Sequence, residues 1–257
     1  MRVVTLVENI SRSERIQAEH GLSLYIETED RRILFDMGQT DAFARNAEVL
    51  GIDLSLVDFA VLSHGHYDHG GGLETFLRIN TKAPVFVHRS AFESYYNGTE
   101  KYIGLPVSLM RSPRLIRGSG VREICPGIRL FDCNDQNWLF DSYGLNRREG
   151  DRFLPDDFRH EQYLLIEEGK KHFLFSGCSH KGIENIAKYF KPEVLVGGFH
   201  LNKEHDPEVL SRIGRYFRDA KIVCFTGHCT GCEQFAALWS YTGNYLAQLT
   251  AGFEFLT

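Results

Sequence analysis

Residues 63–72 read SHGHYDHGGG: three of the chain's eleven histidines and one aspartate within six positions, followed by three glycines. The preceding run, VDFAVLSH (57–64), is apolar enough to be a strand buried on both faces, and GGLETFLRI reads as the helix after it. On an extended strand end, residues two apart share a side, so His64 and His66 project together while Asp68 and His69 follow in the turn. Two groups on one side and two on the other suit two adjacent metal ions better than one. Neutral imidazole with carboxylate favours zinc and is acceptable to iron or manganese. The plain alternative, a histidine-rich surface loop, fits poorly with a position at the end of a buried strand.

Working outward, RVVTLVE (2–8), LSLYIET (22–28), RRILFDMG (31–38) and APVFVH (83–88) read as strands. DAFARNAEVLGI (41–52) reads as a helix, with Thr40 as N-cap and Gly51 as its stop. The pattern resumes with strands at 162–168, 172–177, 193–198 and 221–227, interleaved with helices at 181–190 and 206–219. Strands alternating with helices in both halves imply an α/β chain with buried sheets. Between 90 and 157 the alternation fails: the stretch holds four of the seven prolines, Arg111, Arg114, Arg117 and Arg122, and aromatic pairs such as Tyr95–Tyr96. We read it as an elaboration over the site, within a single domain spanning 1–257.

Bulk properties exclude several classes. With 43% hydrophobic and 25% charged residues the chain is neither disordered nor fibrous. A net charge of −5 argues against nucleic acid as the main partner. The N-terminus lacks a signal-peptide core and no run approaches the roughly 18 apolar residues of a membrane span, so a cytoplasmic protein with reduced cysteines is expected. The aromatic residues of the elaboration, if exposed, would favour a homodimer.

A two-metal site needs ligands from elsewhere, and they occur at other strand–loop junctions. Cys178 and His180 lie in FSGCSHKG, His200 ends VGGFHL, His228 sits in FTGHCTG, and His160 precedes a strand in DDFRHEQYLLI. Each alone is as compatible with a core or surface role. Their shared position counts, because open α/β sheets build sites at strand ends.

HGHYDH resembles the H-x-H-x-D-H signature of the metallo-β-lactamase superfamily, and LFDMG (34–38) its earlier aspartate-bearing strand end. VENISRSERIQAEHGLSLYIE, SHGHYDHGGGL, SGCSHKGIENI, VGGFHL and GHCTG together resemble the branch that includes the archaeal dihydropterin–ribofuranosylaminobenzene phosphate synthases. The resemblance implies a four-layer αβ/βα sandwich with metals in a cleft between the edges of two sheets. It also implies that His64 and His66 hold a first metal, with His160 as third ligand, and that Asp68, His69 and His228 hold a second. Cys178 departs from the pattern, which usually has a bridging aspartate. A thiolate there could ligate zinc or stay uncoordinated, and His180 could replace the bridge or cap the following helix and face substrate.

Two divalent ions would generate hydroxide from a shared water, oriented by Asp68, with His200 as candidate donor to the developing oxyanion and His20 as a weaker one. Lys181, at the start of the 181–190 helix, is a candidate anion binder, and the branch resemblance points to small phosphorylated or pyrophosphorylated substrates. Hydrolysis is the broader expectation and synthase-like release of pyrophosphate the alternative. Cys229 and Cys232 form CTGC, which keeps open a redox or sensor protein.

Overall fold

The computed structural model describes residues 1–256. Two seven-stranded sheets face one another. In order, the first contains Glu254–Leu256, Arg2–Val7, Ser23–Glu27, Arg32–Phe35, Phe59–Val61, Val85–His88 and Leu115–Gly118. The second contains Leu246–Gln248, Val223–Gly227, Val194–Gly198, Lys171–Ser176, Tyr163–Glu168, Ile128–Phe131 and Arg122–Cys125. Each sheet has a parallel part, from Arg32–Phe35 onward in the first and from Lys171–Ser176 to Leu246–Gln248 in the second.

Alternation within strands assigns the layers. Phe173, Phe175, Val194 and Val196 point inward to Ile33, Phe35, Val61 and Phe86 and form the core between the sheets. Leu174 and Leu195 point outward to Ile186, Ile213 and Phe217 of the helices Ile183–Phe190 and Pro207–Asp219. On the other side, Phe43 and Phe76 of Ala42–Val49 and Leu73–Ile79 cover Leu34, Ala60 and Val85. The four layers are therefore helix, sheet, sheet, helix, as the resemblance implied. Burial of each such side chain contributes about 1.5–3 kcal/mol.

Two local expectations differ. The first helix starts after Asp41 instead of Thr40, whose hydroxyl accepts the Ala42 N–H (3.2 Å) and donates to Glu19. The stretch 90–157 is largely strand. Leu115–Gly118 extends the first sheet, and Arg122–Cys125 and Ile128–Phe131 extend the second. Ser94–Asn97, Lys101–Tyr102, Leu145–Glu149 and Arg152–Pro155 make a separate four-stranded sheet. Tyr95 of this sheet and Phe158 after it are fully buried, while Tyr102, Val107, Val121, Leu139 and Phe140 of the same stretch stay exposed. Among the described residues no helix is long and apolar enough to cross a membrane.

Candidate metal centre

Apart from His160, which precedes Tyr163–Glu168, the ligand candidates follow the C-terminal ends of parallel strands. Asp36 follows Arg32–Phe35, and the cluster His64–His69 follows Phe59–Val61. Cys178 and His180 follow Lys171–Ser176, His200 follows Val194–Gly198, and His228 and Cys229 follow Val223–Gly227. Asp36, Ser179, His200 and His228 all have φ between 49° and 61°, the left-handed region that non-glycine residues seldom occupy. Strain of this kind concentrates where a structure holds side chains for function. Close packing adds a second constraint: a Cβ on Gly177 would lie 2.1 Å from Ser63 Oγ and 3.0 Å from His64 Nδ1.

Asp36 organises the first half of the centre. Its Oδ2 accepts from His69 Nδ1 (2.7 Å) and from the Ser63 hydroxyl (2.6 Å), and the Ser63 oxygen in turn meets His64 Nδ1 (2.8 Å). With the Nδ1 atoms donating, the Nε2 atoms of His64 and His69 present lone pairs. His228 is fixed in the same sense, its Nδ1 against Asn9 Oδ1 (3.0 Å) and its N–H on buried Glu8.

The lone pairs then meet face to face. His69 Nε2 lies 3.1 Å from His228 Nε2 and 3.1 Å from Cys178 Sγ, and His64 Nε2 lies 3.3 Å from His180 Nε2. The ligand atoms of His64, Cys178 and His180 lie within 4.8 Å of one another, as do those of His69, Cys178 and His228. Cys178 is the corner common to both. Asp68 Oδ2 completes the second group, 3.4 Å from His228 Nε2, 4.0 Å from His69 Nε2 and 3.2 Å from the exposed His20 Nε2.

Protonation follows from the crowding. Burial, then the neighbouring imidazoles, push His64 and His180 well below the usual histidine range, and burial with His160 takes His66 to about 3. Burial would raise Asp68, but His69, His20 and His228 outweigh it and hold the carboxyl well below its usual range. Burial opposes charge on His228 too, yet Asp68 and Cys229 raise it to about 9. Burial and Cys229 push the Cys178 thiol up. His66 Nε2 and His180 Nδ1 are buried with no hydrogen-bond partner. Neutral imidazoles at His64, His66 and His180, a thiol and an ionised carboxylate are a donor set that fits divalent cations, zinc foremost, and a cation there would displace the proton on His228.

His160 and Lys181 have protein partners that the sequence does not announce. His160 accepts the Gly65 N–H at Nδ1 (2.9 Å), faces Asp156 Oδ2 with Nε2 (3.2 Å) and stacks on Tyr95 at 3.8 Å. With His66 and Asp156 it forms a third buried group whose ligand atoms lie within 4.8 Å of one another, while His180 Nε2 is the nitrogen that faces His64 Nε2. Lys181 turns away from the cleft: its buried ammonium donates to Asp132 O (2.5 Å) and Asn134 Oδ1 (2.7 Å). The N–H groups of His180 and Lys181 already meet a protein anion, Glu161, at 2.7 and 3.2 Å, which leaves that helix start without an open anion site. In CTGC, Cys229 is buried and Cys232 exposed, and both are free thiols.

Sequence reasoning passed over Asn9, Glu8 and Asp156, the last with Oδ2 4.0 Å from His66 Nε2. Asn9 and Glu8 stood in the quoted VEN segment, but only the fold brings them to His228. The cleft itself has a volume of about 160 Å³ and opens past His20, Tyr67, Lys101 and Lys203.

Residues 17–204, well over half of the chain, match the family model described as the metallo-beta-lactamase superfamily. The chain belongs to this superfamily. The uncharacterized protein MJ0448 of Methanocaldococcus jannaschii is 30% identical over 264 residues, 94% of each chain. The 7,8-dihydropterin-6-methyl-4-(beta-D-ribofuranosyl)-aminobenzene-5'-phosphate synthase of the same organism is 30% identical over 260 residues, 90% of this chain and 88% of the synthase. The crystal structure of Tm1679, a metal-dependent hydrolase of the beta-lactamase superfamily, is similar at a TM-score of 0.85 with 27% identity, covering 100% of this chain and 99% of that one.

Proposed function

We propose that this superfamily member is a metal-dependent, hydrolase-type enzyme with a two-cation centre, acting on a small phosphorylated, pyrophosphorylated or ester substrate. The observation that carries the reading is the pair of facing imidazole contacts, His64–His180 and His69–His228, with Cys178 at the corner between them. His64, His66, His180 and Cys178 would hold one cation, and Asp68, His69, His228 and Cys178 the other. Such a pair supplies Lewis acidity and lowers the pKa of water toward neutrality.

The chain's own groups do the rest. Asp68, ionised and in contact with His20, can accept a proton in the cleft and pass it to a ring that reaches solvent. Lys101 and Lys203 stand at the mouth, where their charge draws in an anionic substrate. Tyr67, with Lys101 Nζ 3.3 Å from its hydroxyl, offers a polar edge there.

A transferase is the second reading, supported by the synthase named above, which matches over nearly its whole length. Elemental analysis of untagged protein purified without chelator, followed by turnover assays with phosphoesters, pyrophosphates and lactones, tests the proposal. Two equivalents of metal and turnover of one substrate class support it, with His66→Ala and Asp68→Ala losing both metal and turnover. Retained turnover in both variants would sink it.

A further inference from the structure

Cys229 is absent from the ligand set that the sequence resemblance implies, yet the fold turns it into the centre. Its Sγ accepts the His200 main-chain N–H at 3.2 Å, and the thiol donates to Cys178 O at 3.6 Å, a proton that a bound cation would displace. The ligand atoms of Cys178, Cys229 and His200 fall within 4.8 Å of one another. Space for this sulfur is built in: a Cβ on Gly198 would lie 2.5 Å from Cys229 Sγ, so any side chain at that strand end would displace it. His200 holds a left-handed backbone, and both its ring nitrogens are buried without a hydrogen-bond partner. On this half-buried side chain, two buried ring nitrogens left unsatisfied are costly unless a ligand meets them.

We propose that Cys178, Cys229 and His200 form a sulfur-rich ligand face of the centre, so that this chain binds a thiolate-preferring divalent cation such as zinc through two cysteines. The proposal rests on the metal-centre reading above and deepens it. His200 then acts as a ligand and not as the oxyanion donor expected from sequence. Two thiolates for one bridging carboxylate make the centre softer and shift its selectivity from manganese toward zinc and cobalt. The main-chain N–H of His200 stabilises the Cys229 thiolate, as a donor to a charged acceptor does.

The test is spectroscopic and uses the full chain, stripped with chelator and reloaded with Co²⁺. Thiolate ligation gives a sulfur-to-cobalt charge-transfer band in the near ultraviolet, separate from the ligand-field bands of nitrogen and oxygen ligands. We expect the band in the native sequence, its loss by about half in Cys178→Ser and in Cys229→Ser, and weaker Co²⁺ binding by about tenfold or more in His200→Ala. Circular dichroism checks that each variant is folded. Because both cysteines are buried, alkylation is compared between the chelator-stripped and the zinc-loaded unmutated chain, and suppression of Cys178 and Cys229 labelling by zinc, read by peptide mass, gives the same answer without a variant.

An unchanged band in Cys229→Ser, or free alkylation of Cys229 in the zinc-loaded protein, overturns the proposal. So does His200→Ala that keeps metal and loses only turnover. Cobalt bound with ligand-field bands alone defeats the sulfur face while leaving the centre standing. No cobalt bound at all defeats the centre itself.

Discussion

Asp36 controls which nitrogen of two histidines can meet a cation. It holds His69 directly and His64 through Ser63, and its φ of 58° suits Asn as well as Asp. Asp36→Asn should therefore keep the backbone while placing an amide where two donors now point. Metal affinity is expected to fall by about ten- to a hundredfold, measured by competition with a chelator, and an unchanged affinity would deny Asp36 its orienting role. Asp132, away from the cleft, illustrates a structural carboxylate. Burial alone would raise its pKa, but His88 and the N–H groups of Gly120 and Asn134 outweigh this and hold it below the usual carboxylate range. A depressed folded pKa means the carboxylate stabilises above its unfolded value and loses that contribution as pH falls through the folded one. Asp132→Asn should then cost about 2 kcal/mol in urea unfolding at pH 7, with the difference from the native sequence shrinking below about pH 4. A difference independent of pH would place the cost in packing instead.

At the scale of elements, the extra four-stranded sheet buttresses the centre. Phe158 packs with Tyr95, Ile103 and Leu145 and lies parallel to the His180 ring, 4.4 Å away at 9°. Phe158→Ala is expected to cost about 3–5 kcal/mol and also to lower metal content, because His180 loses the surface that sets its ring plane. Lost stability with full metal content would show that the stack is only packing. The sequence was unequally informative here. The apolar runs around 57–64, 172–177 and 193–198 were legible because strands buried on both faces leave continuous hydrophobic stretches, even where the strand itself is only Phe59–Val61. The strands within 90–157 are mostly four residues long and only partly buried, so no alternation marks them. The same limit hides the partners of His160. Its spacing before a strand suited a ligand, whereas its ring is turned by Gly65 and Asp156, partners that only the folded chain brings near.

For the whole molecule, the centre is a joint between halves. His64, His66, Asp68 and His69 come from the loop after a first-sheet strand, while Cys178, His180, His228 and Cys229 come from the second sheet. The local motif could therefore announce itself in sequence, but the pairing of each histidine with its opposite number could not, since those pairs are 116 and 159 residues apart. Without a cation the joint keeps buried imidazoles facing each other with few donors between them, an arrangement that desolvation penalises. Binding a cation only in the folded state stabilises by mass action, about 2.7 kcal/mol when free metal is a hundred times the Kd. For a chain of this length that corresponds to a rise of about 5–10 °C in Tm. Since both sheets supply ligands, the rise should appear as one transition moving as a unit. Calorimetry of zinc-loaded and chelator-treated protein would show this. Two transitions, of which zinc moves only one, would mean that the halves unfold separately and that the ions belong to one of them. A single transition unmoved by zinc would mean that the cluster closes equally well around protons.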